Sequence, residues 1–124
     1  MGHQITGAGE VVDVAPPARI DSRTAKGVAA TLQALSTPSR LLILGRLREA
    51  PATVTELAES VEMEQSAVSH QLRLLRTLGL VTSERSGRTI VYSLYDNHVA
   101  RLLDEAVYHA EHLRLGLTDE GANP

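Results

Sequence analysis

Four side chains towards the C-terminal end of this chain, Asp96, His98, His109 and His112, have the types and spacing of a metal site. Imidazole nitrogen and carboxylate oxygen are ligands for divalent zinc, cobalt and nickel. His109 and His112 stand three positions apart, so on a helix they share a face and can chelate one ion. His98 precedes His109 by eleven positions, which is three helical turns plus roughly 20°, so both point the same way. At about 1.5 Å per residue they lie roughly 16 Å apart along the axis, whereas a metal-nitrogen bond is about 2 Å. One helix cannot close this site. A second copy running antiparallel would lay Asp96 and His98 of one chain beside His109 and His112 of the other, giving a homodimer with two equivalent sites. On spacing alone, the competing reading is a helix with surface histidines and a capping aspartate.

The element that must carry these groups runs from Asp96 to Leu113. Val99, Leu102, Leu103, Ala106, Val107, Ala110 and Leu113 recur at helical spacing and form one apolar stripe, with Asp96 as N-cap and Gly116 as a stop signal beyond.

Composition bounds what surrounds it. At 124 residues the chain has room for one domain and short tails. Hydrophobic residues make up 43% without any Phe or Trp, so the core is aliphatic, which favours helices. No apolar run approaches the roughly 18 residues of a membrane span, and the N-terminus lacks the basic-then-apolar order of a signal peptide. These features lead us to expect a soluble cytoplasmic protein with no membrane partner. The absence of cysteine excludes disulfides, thiolate metal sites and thiol catalysis. The formal net charge is -3, but from Gln65 to Tyr92 four arginines (Arg73, Arg76, Arg85, Arg88) face the single acid Glu84. Such local asymmetry points to an anionic partner better than the total does.

In chain order, residues 1–20 carry glycines, the Pro16 and Pro17 pair and no apolar period, and are expected to form a flexible tail. Removal of Met1, which the small Gly2 permits, would make the Gly2 amine and His3 neighbouring nitrogen donors; a tail histidine without a role is the alternative. A folded domain is expected over 21–117 and a disordered tail over 118–124. Asp21 can cap a first helix to about Leu35, Thr37 followed by Pro38 starts a second, and Thr53 with Glu56 forms a capping box for a third. The fourth, Gln65 to Leu78, turns Val68, Leu72, Leu75 and Leu78 inward and is closed by Gly79. Its other face begins with Gln65, Ser66, Ser69, His70 and Arg73. Short polar side chains on the first turns with an arginine behind them suit a major groove; an ordinary solvated face is the alternative. Two strand-like runs, Leu80 to Glu84 and Thr89 to Leu94, flank Arg85, Ser86, Gly87 and Arg88, giving a hairpin with two arginines at its tip. A helix-turn-helix followed by a basic hairpin has the order of a winged helix whose wing grips phosphate. The expected fold is therefore mainly α with a small β-hairpin, a dimeric winged helix-turn-helix of order ααααββα.

Over nearly all of Ser22 to Leu117 the sequence resembles the ArsR/SmtB family of metal-responsive repressors. SAVSHQLRLLRTLGLV is similar to the family's recognition helix and exit, GRTIVYSL to its wing, and Asp96, His98, His109 and His112 to its metal site on the last helix. The family's cysteine pair near the third helix is absent, where Thr55, Glu56, Leu57 and Ala58 stand. His112 in place of a carboxylate, with the Met-Gly-His start, resembles the nickel- and cobalt-sensing branch, although Arg114 stands where that branch has a further histidine. The resemblance implies an apo homodimer that represses by binding operator DNA, an inverted repeat, and is released by Ni(II) or Co(II). Four helix donors suffice for tetrahedral Zn(II), whereas six-coordinate Ni(II) or Co(II) needs about two more, which Gly2 and His3 could supply.

The remaining alternatives are a Zn(II)-responsive repressor, a winged-helix regulator with inert histidines, and a zinc hydrolase. The last is disfavoured, and no enzyme is expected: the histidines in His109-Ala-Glu-His112 are three apart, not the four of HExxH, and no general base stands nearby.

Overall fold

A computed structural model describes the backbone of 3–6, 10–13 and 16–122, with side chains from 16 to 116. The chain divides into two units, Met1–Thr31 and Leu32–Pro124.

In the first unit, strands β1 (His3–Thr6) and β2 (Glu10–Asp13) pair antiparallel, with His3 opposite Asp13 and Thr6 opposite Glu10. The stretch has no apolar period, but Ile5, Thr6, Val11 and Val12 are β-branched, and the sequence between the strands carries two glycines. Helix α1 (Ser22–Ala34) begins in this unit. Asp21 caps it: Oδ1 accepts from the Thr24 amide at 2.9 Å. That amide bond holds the Asp21 carboxyl below its usual range.

The second unit is a winged helix-turn-helix. Thr37, extended at φ -114, accepts from the Arg40 amide and opens α2 (Pro38–Glu49), with Pro38 in the first turn where no amide proton is needed. Helix α3 (Val54–Val61) starts from a complete capping box: the Glu56 amide donates to Thr53 Oγ1 at 3.2 Å, and the Thr53 amide to Glu56 Oε1 at 2.9 Å. Glu62, left-handed at φ 56, ends it and turns the chain into α4 (Gln65–Thr77). Gly79, at φ 74, leads out of α4.

Strands β3 (Val81–Ser86) and β4 (Thr89–Leu94) form the wing, in a register that places Arg85 opposite Ile90 and Ser86 opposite Thr89. The turn is thus shorter than the four residues expected, with only Gly87 and Arg88 unpaired, and Gly87 at φ 65 supplies the positive φ that a two-residue hairpin turn needs. Reciprocal backbone bonds between Ala52 and Tyr92, 3.0 and 2.8 Å, fasten β4 to the segment before α3.

The core of this unit is aliphatic, as composition requires. Ile43, Leu44, Leu57, Val68, Leu72, Leu75 and Val81 are fully buried, so α2, α3, α4 and β3 share one interior. Among the described residues no buried side-chain polar atom lacks a hydrogen-bond partner. Val99 and Leu103 bring helix α5 (Asn97–Ala122) onto this core. Outside it, Arg48 of α2 grips Asp104 of α5 with two bonds of 3.0 and 2.8 Å. Arg48, through its hydrogen bonds and charge, holds the Asp104 carboxyl below its usual range.

Helix α5 runs unbroken through Gly116 to Ala122, past the expected stop and into the stretch expected to be a disordered tail. A helical Gly costs only about 1 kcal/mol relative to Ala, and no proline follows before Pro124. Beyond Leu103 its apolar stripe leaves the core: Val107 and Leu113 are 61% and 58% exposed. A cavity of about 270 Å³, lined largely by Leu41, Gly45, Leu103, Ala106, Val107 and Ala110, separates this part of α5 from α2. Among the described residues, no helix is long and apolar enough to cross a membrane.

The packing makes a direct prediction. Leu44→Ala, at a fully buried site, should lower unfolding stability by about 2 to 5 kcal/mol, whereas Leu42→Ala, at a site 56% exposed, should change it by no more than about 0.5 kcal/mol. Urea titration of both variants checks this, and equal losses would contradict the core assignment.

Candidate metal centre and nucleic-acid interface

The candidate ligands lie on one continuous helix and its cap. Asp96 Oδ1 accepts from the amides of His98 at 3.0 Å and Val99 at 3.2 Å, which is an N-cap, while Oδ2 stands 3.3 Å from His98 Nδ1. Slight burial opposes ionisation of Asp96, but the His98 side chain and the Val99 and His98 amides prevail and hold its carboxyl below the usual range. An ionised carboxylate beside Nδ1 favours the tautomer with the proton on Nδ1. His98, His109 and His112 are all exposed.

Two residues that the sequence reading did not assign to the site, Tyr108 and the expected stop Gly116, flank His112. The Tyr108 ring stacks on the imidazole with centroids 5.8 Å apart and planes at 17°. One turn further on, a Cβ at Gly116 would lie 3.8 Å from His112 Cδ2 and 3.9 Å from Nε2. A side chain at Gly116 would thus come into ordinary contact with that edge of the ring. The i, i+4 spacing of Tyr108, His112 and Gly116 was the available signal.

The donors suit a divalent metal in type but are not gathered within one chain. Among the described residues, no group of three or more His, Cys, Asp or Glu could hold a metal ion. The helix is unbroken between His98 and His109, so the roughly 16 Å separation expected from its rise stands. Gly2 lies outside the described residues, and His3 is described only as the first backbone position of β1.

On α4, burial of Val68, Leu72 and Leu75 fixes which face is turned outward. Gln65, Ser66, His70 and Arg73 are exposed and Ser69 half-buried, and Gln65 and Ser66 occupy the first turn. Arg85 and Arg88 are exposed, the former as a β3 residue and the latter in the turn. Helix and wing thus each present cationic groups on a unit whose interior is closed.

The chain is 63% identical over 119 residues to the HTH-type transcriptional regulator NmtR of Mycobacterium tuberculosis (strain ATCC 25618 / H37Rv), covering 96% of this chain and 95% of that protein. A family model described as bacterial regulatory protein, arsR family, matches residues 37–83. The chain belongs to the ArsR family. Its ArsR relatives include the transcriptional repressor SmtB of M. tuberculosis, 43% identical over 64% of this chain and 58% of that protein. The solution structure of apo-NmtR superposes with a TM-score of 0.68 at 64% identity, covering 88% of this chain and 92% of that one. A homodimeric winged helix-turn-helix DNA-binding domain from Mycobacterium bovis gives 0.72 at 28% identity, covering 81% and 95%. The ArsR family model takes in α2, α3, α4 and the start of β3, so the protein is a winged-helix regulator and not an enzyme.

Different roles for the arginines predict different salt behaviour. If Arg73 reads a base edge, Arg73→Ala should weaken specific DNA binding by about 1 to 3 kcal/mol. Arg85→Ala and Arg88→Ala should each lower the slope of log affinity against log salt by about 1, as lost phosphate contacts do. Fluorescence anisotropy across a salt series measures both, and unchanged affinity in all three variants would contradict this interface.

Proposed function

We propose that the protein is a metal-responsive transcriptional repressor that binds operator DNA as an apo homodimer and is released by Ni(II) or Co(II) at intersubunit sites on α5. The observation that carries the reading is the division of the nitrogen and oxygen donors into two pairs on one unbroken helix, too far apart to meet within a chain. The exposed stripe of Val107 and Leu113, with exposed Leu32 at the end of α1, would supply the apolar surface that a partner covers. Likeness to NmtR over nearly the whole chain, α5 included, supports the same reading.

Asp96 and His98 of one protomer and His109 and His112 of the other would hold the ion, with Gly2 and His3 completing a six-coordinate set. The bound metal supplies a rigid link between two otherwise independent helices. On the DNA side, Gln65, Ser66, Ser69, His70 and Arg73 would enter the major groove and Arg85 and Arg88 would grip phosphate. The twofold axis of the dimer calls for an inverted repeat. Fixing the two α5 helices relative to one another would change the spacing of the two α4 helices, and with it the fit to successive grooves. Zn(II) is the second reading, favoured by the sufficiency of the four helix donors for a tetrahedral site.

The test is titration of Ni(II), Co(II) and Zn(II) in turn into the complex of protein with a promoter fragment. Metal that lowers DNA affinity must be weakened by DNA to the same degree, typically by about 1 to 3 kcal/mol. His109→Ala should leave apo DNA binding intact and abolish the metal response. Deletion of Met1 to His3 should spare zinc binding yet impair the nickel and cobalt responses; an unaltered nickel response would remove the nickel assignment. Sedimentation should give a dimer, and a monomer that binds metal tightly at Asp96 and His98 would contradict the shared site. Indifference of DNA binding to all three metals would leave a winged-helix regulator with inert histidines.

A further inference from the structure

One guanidinium joins three helices through side-chain hydrogen bonds. Arg40, half-buried in the first turn of α2, donates from Nε to Gln71 Oε1 of α4 at 2.9 Å. Its Nη1 donates to the Ala34 and Gln33 carbonyls at 3.3 and 3.4 Å, in the last turn of α1. The Gln33 carbonyl also accepts from the Ser36 amide at 3.0 Å and the Ser36 hydroxyl at 2.7 Å, and a cation is favoured at a helix C-terminus, so the end of α1 is a natural seat for arginine. Among the described residues, no other side-chain hydrogen bond joins α4 to another helix.

The position of Gln71 on α4 gives this bond its meaning. It lies at the border between the buried face of Val68, Leu72 and Leu75 and the outward face of Ser69, His70 and Arg73. Burial of Val68, Leu72 and Leu75 decides which side of α4 is turned outward, but aliphatic packing is non-directional and sets the finer rotation of the helix about its axis less sharply than a hydrogen bond does. A hydrogen bond at one flank is directional and does fix it. That rotation decides which outward side chains reach a groove.

We propose that Arg40 is a positioning residue for DNA recognition, tying the end of α1 to the flank of α4 and so setting the orientation and spacing of the two recognition helices in the dimer. The inference rests on the DNA-binding dimer proposed above. Arg40 and Gln71 need not touch DNA themselves. Because α1 carries part of the surface proposed to meet the partner, the link runs from the dimer contact to the groove without passing through α5.

The experiment uses the full chain and a duplex selected by the wild-type protein from a randomised pool, resynthesised with the spacer between half-sites one base pair longer and shorter. Arg40→Met and Gln71→Met should each weaken binding to the selected duplex on the order of tenfold, with the double variant no worse than either alone. Both should also narrow the difference in affinity among the three spacers. Gln71→Glu, which can still accept from Arg40, should retain the wild-type spacer preference. The slope of log affinity against log salt should stay unchanged throughout, since no phosphate contact is lost. A uniform loss on all three spacers would mark Arg40 as merely stabilising the fold and overturn the proposal. A reduced salt slope in Arg40→Met would overturn it by making Arg40 a phosphate ligand. A wild-type protein that selects no duplex would refute the DNA-binding reading itself.

Discussion

The attachment of α5 to the core is the constraint on which the regulatory half of this protein depends. Among the described residues, α5 contributes Val99 and Leu103 to the buried core, with Leu102 packed against it, and the Arg48–Asp104 pair is exposed on both sides. An exposed ion pair is screened by water and salt, so it adds direction more than strength. Past Leu103 the helix stands off α2 across an apolar gap. A helix held at one end and free along the rest of its apolar stripe can be repositioned by whatever covers that stripe. The core at its root need not be disturbed.

The DNA-binding half has the opposite character. Its helices are started by local devices, Thr37 with Pro38 and Thr53 with Glu56, and closed over a dry aliphatic interior. The wing is pinned to the same body through Ala52 and Tyr92. Such a body moves as a unit, so under the proposed mechanism a change at the α5 end would reach DNA as displacement of a rigid reader and not as its deformation. Arg40 belongs to this half, because its bonds end on α1 and α4.

Features written in neighbouring residues were legible in the sequence. The capping box at Thr53, the Pro38 start, the glycine in the wing and the inward face of α4 all follow from spacings of one to four residues. The family and the winged-helix order followed from them in turn. Three features escaped. β1 and β2 pair through β-branched residues too few to show a period. Gly116 reads as a stop, yet α5 continues through it, and its place beside His112 appears only once the helix is built. The bonds of Arg40 to Gln71 and of Arg48 to Asp104 span 31 and 56 positions, where no local pattern connects donor with acceptor. For the candidate metal site the donor types and their helical spacing were legible, but the Tyr108 stack depends on a rotamer that spacing does not specify.

The reach of α5 also has a bearing on the life of the protein in a cell. The 26 residues of this helix extend about 39 Å, and residues 104–115 in its middle are exposed. A helix so placed is marginally stable in water and opens readily, and proteases cut chains that open. An unpaired protomer would therefore be the form removed first, and pairing would protect the segment that bears the candidate ligands. Turnover would then act as a quality filter, sparing protomers that have found a partner and so fixing a floor on the copy number at which regulation can work.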